Sequence, residues 1–317
     1  MTPRPILSGD GNVSVDIDAL RFYREIHGIP NLSANAVDPL WTLGVPRAQK
    51  LFAEFSLPAT FFVVGADLWV TAHREVAHSL LEDGHELANH SQDHFYDLRR
   101  RPPAEIRDQI RQCDEAIAEL AGAPPVGFRT PGYNASAEIL EASRAAGHRY
   151  DASLFPAAGY WLAKAAVMGY RRFRRSPSHS DRAELRTLLA STEPYYCDPQ
   201  RYWRPSPEVG DFVEFPVAAV AGFLPIIGTS LHLLRHLGWD RLWARLHRRF
   251  PRFFNLEFHA IDFVDAEDLR FTQGHELLTL RQPDLRVPWS QKEALYRQVL
   301  ASLCRDREMV TLGQLLE

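Results

Sequence analysis

At 317 residues, 24% charged and 45% apolar, the chain is long enough to bury a large core and too apolar for global disorder. Its net charge of −4 leaves no electrostatic footprint for nucleic acid, so no nucleic-acid partner is expected. Cys113, Cys197 and Cys304 form no C-x-x-C pair, which argues against a disulfide framework or a thiolate zinc site and fits a reducing compartment.

In chain order, Met1 to Asp10 lacks an apolar run of signal-peptide length, so a cytoplasmic location is expected. Val13 to Asp18 reads as a strand, Arg47 to Phe55 as a helix, and Ala59 to Val64 as a short buried strand. A helix is expected from Thr71 to Asp83, with Gly84 past its end, followed by an extended His85 to Asn89. Pro103 to Leu120 has the spacing of a long amphipathic helix, punctuated by Gly122 and Pro124-Pro125. Val126 to Arg129 is the next strand, Ala135 to Ala146 a helix, and Arg149 to Asp151 a strand. Phe253 to Phe258 is a strand running into His259, Gln291 to Cys304 a helix, and Met309 to Thr311 a last strand. Repeated β-then-α units predict an α/β fold, a distorted (β/α) barrel of about seven parallel strands.

Two stretches carry metal-ligand chemistry. Asp16 and Asp18 are two apart in a strand and project to one side; His90 and His94 are four apart and share a face if the backbone turns helically after Asn89. One carboxylate and two imidazoles suit one zinc-like divalent ion with an open position, leaving the other aspartate as a base. Asp16, Asp18, His90, Arg129, Asp151 and His259 all fall at or just after the C-terminal ends of predicted strands, where a barrel gathers its reactive groups.

Five ordered motifs carry a family resemblance: Val15-Asp16-Ile17-Asp18, His90-Ser91-x-x-His94, Phe128-Arg129-Thr130-Pro131-Gly132-Tyr133, Tyr150-Asp151-Ala152-Ser153 and Leu256-Glu257-Phe258-His259. Together with Gly84-His85-Glu86 they resemble the polysaccharide deacetylase (NodB homology) family over most of 12–155 and 253–317. The resemblance implies that Asp18, His90 and His94 hold the metal and that Asp16 is the base acting on its water. Arg129 then orients Asp16, and backbone N–H groups around Gly132 and Tyr133 stabilise the oxyanion. His259 protonates the leaving amine, held by Asp151 or by Asp262. The reaction implied is hydrolysis of an N-acetyl or N-formyl group on an amino sugar. Ile17 between the aspartates, and Ala260 after His259, resemble a branch that includes the deformylase of lipid-linked formamido-arabinose. In motif three the order Pro-Gly-Tyr replaces Pro-Tyr-Gly, which leaves open whether Gly132 or Tyr133 is the oxyanion donor. His85 and Glu86 read as structural.

The segment at about 157–250 lies outside the resemblance and reads as an insertion in a single 1–317 domain. It holds Tyr160-Trp161, the basic cluster Arg171 to Arg175, and leucines and tryptophans alternating with arginines from Leu231 to Phe254. Two readings stand: an internal helical insertion with a solvated basic face, or peripheral contact with an anionic membrane on its inner face, which suits a lipid-linked substrate. Two other function classes compete with the metal-dependent deacylase. One is a metal-independent allantoinase-like amidohydrolase, and the other a non-catalytic carbohydrate- or lipid-binding member of the fold.

Overall fold

The computed structural model describes residues 10–30, 36–162, 185–235, 238–246 and 250–317, and the Arg171 to Arg175 cluster lies outside them. Among the described residues, a sheet of nine strands forms the centre. Strands β1 (Asp10–Ile17), β2 (Thr60–Val63), β3 (Glu86–Asn89), β4 (Gly127–Phe128) and β5 (Tyr150–Asp151) stand side by side in parallel. An edge strand β6 (Tyr195–Tyr196) runs antiparallel to β7 (Val213–Glu214), which is itself parallel to β5. A hairpin of β8 (Ala219–Val220) and β9 (Leu224–Pro225) stands apart, β10 (Phe254–His259) flanks β1 on its other side, and β11 (Glu308–Met309) pairs with the start of β1. The sheet curls into a half-barrel. Residues between β7 and β10 span its open side, where Ala218 donates its backbone N–H to the Asn255 carbonyl at 2.9 Å and Ile227 bridges to Glu257.

Strand alternation sorts side chains to two faces. Val13, Val15 and Ile17 of β1, with Leu256 and Phe258 of β10, enter the apolar layer beneath the outer helices. The alternate positions are polar and meet inside the curl. Ser14 Oγ donates to Asn255 Oδ1 at 3.0 Å, Asn12 Nδ2 to Thr60 Oγ1 at 3.2 Å, and Thr60 Oγ1 to Glu86 Oε2 at 2.9 Å. Tyr150 and the Gly313 amide complete the bonds to Glu86, which therefore closes the end of the barrel opposite the strands' C-termini, a structural role. His85 is structural as well, accepting the Ala59 amide.

The outer helices follow their sequence signals. The long one, Pro103–Ala121, begins at a residue with no N–H to leave unpaired and ends at Gly122, whose φ of 77° closes its last turn. Trp289–Asp306 begins two residues before its predicted start and ends two after.

The 157–250 stretch is less purely helical than its sequence suggests, because β6 and β7 belong to the main sheet. Two-residue strands are too short to carry an alternation signal, which is why they were not legible. Helix Trp239–Leu246 turns its tryptophans inward: Trp239 Nε1 donates to Ser302 Oγ at 3.1 Å and Trp243 Nε1 to Asp306 Oδ2 at 2.9 Å. Among the described residues no helix is long and apolar enough to cross a membrane.

Candidate active site

At the C-terminal ends of β1, β3 and β10, residues far apart in sequence converge. His94 Nε2 lies 3.1 Å from Asp18 Oδ1, and His90 Nε2 lies 3.4 Å from the same oxygen. His90 Nδ1 meets the Arg129 carbonyl at 2.8 Å, which places the proton on Nδ1 and leaves Nε2 with a lone pair facing Asp18. Asp18 Oδ1 and both ring nitrogens of His94 are buried and make no hydrogen bond. Orphaned polar atoms of this kind are costly, and a cation would satisfy the carboxylate oxygen and the imidazole nitrogen that carries the lone pair. A tetrahedral ion with ligands at about 2.0–2.1 Å sets neighbouring ligand atoms about 3.3 Å apart, so the donor set fits a zinc-like ion. Burial pushes the Asp18 carboxyl up, but His94 and His90 outweigh it and hold it well below the usual carboxylate range.

The helical turn expected over His90 to His94 is not what brings the imidazoles together. Ser91 and His94 have φ of 64° and 54°, left-handed values that cost L-residues roughly 1–2 kcal/mol each. Side chains hold the loop in this shape. Asn89 Oδ1 accepts the Ser91 amide at 2.7 Å, Ser91 Oγ accepts the His94 amide at 3.1 Å, and Gln109 of the long helix accepts the Asp93 amide at 2.9 Å. Asn89 is in turn anchored to Asp114 at 2.7 Å, and His148 contacts Asp114 at 2.9 Å. Phe22 and Tyr96 pack on the His94 ring, with centroids at 4.4 and 4.8 Å.

Asp16 is held from behind by Arg129, whose Nη1 donates to Oδ1 at 2.5 Å and whose side chain is fully buried. The guanidinium also donates to Ser14 Oγ and the Ala152 carbonyl and lies over the Phe62 ring at 4.0 Å. Asp16 Oδ2 faces the other way, 3.8 Å from His90 Nε2 and 3.9 Å from His259 Nε2. The register explains the approach: Asp16 pairs with His259 across β1 and β10, and Ser14 with Glu257.

Glu257 is the residue that the motif reading passed over. It is fully buried, accepts the Tyr133 hydroxyl, and its Oε1 stands 3.6 Å from His259 Nδ1. Two-residue spacing from His259 on a strand was the available signal. Burial, with Asp16 nearby, lifts Glu257 to about 7. For His259 burial pulls downward, but Glu257, Asp16 and Asp18 outweigh it and raise the imidazole to about 9.

Two sequence expectations need correction. Asp151 does not hold His259: its carboxylate accepts the Ser153 amide at 3.0 Å and hydroxyl at 2.8 Å and pairs with buried Glu214 of β7. Burial raises both carboxyls, which face each other as register partners across β5 and β7. The other named partner, Asp262, reaches only the backbone, accepting the His259 amide at 2.9 Å. The Tyr133 amide donates to the Thr130 carbonyl at 3.1 Å and its hydroxyl to Glu257, while Gly132 beside it has a φ of 63°.

The family model described as polysaccharide deacetylase matches residues 34–150. That stretch is similar to the polysaccharide deacetylase family. That match takes in His90, His94, Arg129 and Gly132, while Asp16, Asp18 and His259 lie outside it, at the ends of the paired strands β1 and β10. A chitooligosaccharide deacetylase of Bradyrhizobium sp. (strain ANU 289) is 30% identical over 128 residues, covering 40% of this chain and 57% of the relative. A peptidoglycan deacetylase of Helicobacter pylori is 29% identical over 142 residues, covering 44% and 47%. The matched region thus spans about half the length of these curated relatives. A polysaccharide deacetylase from Mycobacterium smegmatis, described from its crystal structure as putative, shares the fold at a TM-score of 0.58, with 20% identity over 100% of this chain and 92% of that one. The Puue allantoinase does so at 0.55, with 14% identity over 99% and 91%.

Proposed function

We propose that the chain is a divalent-cation-dependent hydrolase that removes the N-acetyl group of an amino-sugar glycan. The observation that carries this reading is the cluster of buried, unpartnered ligand atoms on Asp18 and His94, with His90 beside them, within reach of Asp16. Asp18, His90 and His94 would hold the ion, which when bound supplies Lewis acidity toward an amide carbonyl and lowers the pKa of water. Asp16 is the base. Arg129 fixes one of its oxygens and leaves Oδ2 to take a proton from the attacking water. The Gly132 amide is the backbone donor available to the developing oxyanion.

His259 supplies the proton that the departing amine needs as the C–N bond breaks, and the acyl carbon keeps the water oxygen as a carboxylate. Its raised pKa keeps it protonated at neutral pH, and Glu257, fixed by Tyr133, orients the ring from the Nδ1 side. Trp239 and Trp243 are turned to the core and so are not part of a membrane-facing surface. The test is elemental analysis of the purified protein with acetate release from N-acetylated oligosaccharides, before and after chelation. About one divalent ion per chain, activity lost on chelation and restored by added zinc are expected. Full activity in metal-free protein would overturn the reading.

A further inference from the structure

The aromatic residues that open the insertion form a continuous series reaching the catalytic histidine. Tyr133 stands edge-on to His259, ring centroids 6.5 Å apart, and Tyr160 stands edge-on to Tyr133 at 6.2 Å. Tyr160 also packs on Phe155 at 4.7 Å and Trp161 at 5.0 Å, and Trp161 Nε1 donates to the Phe155 carbonyl.

The β8–β9 hairpin is fastened to this unit. Ala158 and Gly159 donate their amides to the carbonyls of Gly222 and Phe223, each at 3.0 Å. A Cβ on Gly159 would lie 2.7 Å from the Phe223 carbonyl oxygen and 3.1 Å from its ring, so the close approach requires glycine there. Phe223 itself is 56% exposed, although every other aromatic of the series is buried or half-buried.

We propose that Tyr160 and Phe223 form a saccharide-stacking subsite, through which the insertion grips a sugar unit neighbouring the one deacetylated. The inference rests on the glycan reading above and deepens it. A pyranose ring has an apolar face of axial C–H groups and a polar rim, and the partly positive C–H hydrogens suit the negative face of an aromatic ring. The approach is rigid, since the hairpin's backbone bonds to 158 and 159 order it before ligand arrives. Tyr133 is buried, so the rings left to meet a sugar are the half-buried Tyr160 and the exposed Phe223.

The test is calorimetric titration of chitotetraose into full-length Asp16→Asn protein, which suppresses turnover, with Phe223→Ala, Tyr160→Ala and Tyr160→Phe added in turn. Phe223→Ala and Tyr160→Ala are expected to weaken binding about ten-fold each, and Tyr160→Phe to remain near the parent. Phe223 is exposed, so its alanine variant serves even if Tyr160→Ala fails to fold. Unchanged affinity in Phe223→Ala, or no binding by the parent, overturns the subsite. Absence of acetate release by the native protein with the binding losses intact would instead sink the catalytic reading and leave the subsite standing.

Discussion

Replacing Arg129 by methionine should destabilise the protein chiefly through Asp16. The guanidinium and the carboxylate are 0% and 3% exposed and 2.5 Å apart, so solvent does little to screen the pair. Removing one partner leaves an uncompensated buried charge, which costs about 3–5 kcal/mol. The bonds to Ser14 and Ala152 are lost as well, but that loss is the same whether or not Asp16 is charged. It therefore cancels in a double-mutant cycle. In an Asp16→Asn background, Arg129→Met should cost less by at least about 1.5 kcal/mol, as expected for residues in one network. Denaturant unfolding of the four proteins in chelator, which removes any contribution of bound metal, reads the difference as midpoint shifts at constant slope. Additive costs, within about 0.5 kcal/mol, would refute the claim that these two charges depend on each other.

Other outcomes follow from the same site. Glu257→Gln removes the carboxylate nearest His259 Nδ1, so the imidazole should lose its proton at lower pH. The alkaline limb of kcat/KM should then move down by about one unit or more, and an unmoved limb would show that Glu257 does not support the acid. Asp151→Asn should leave kcat within about two-fold, since the residue meets Ser153 and Glu214 rather than His259, and a loss of several orders would restore it to the machinery. Because burial raises both Asp151 and Glu214, the folded state holds a proton that the unfolded chain gives up, and stability falls as pH rises; Asp151→Asn should flatten that dependence in thermal melts. Asn89→Ala frees the Ser91 amide and should weaken metal affinity about 10–100-fold by competition titration, with the fold intact by circular dichroism.

Much of this molecule is written in local patterns. Alternation in Val13 to Ile17 and in Phe254 to His259, helical spacing from Pro103 to Ala121, and glycine at 122 are each local rules, and the elements form where those rules place them. The chemistry-bearing types were legible too, because Asp16, Asp18, His90, His94, Arg129 and His259 stand at strand ends. The partners of those residues were not. Whether His259 meets Asp151, Asp262 or Glu257 depends on the register of β1 against β10 and on the insertion returning β7 to the sheet beside β5, so that Glu214 occupies Asp151. The His90 to His94 loop was misread because its shape comes from side-chain bonds, made locally by Asn89 and Ser91 and from the long helix by Gln109, rather than from a helical backbone repeat. Sequence alone determined the longer strands, the long outer helices and most of the reactive groups, since each depends on neighbours a few positions away. Tertiary structure decided which of those groups face one another, because that is set by contacts between segments far apart in sequence, for which no local periodicity exists.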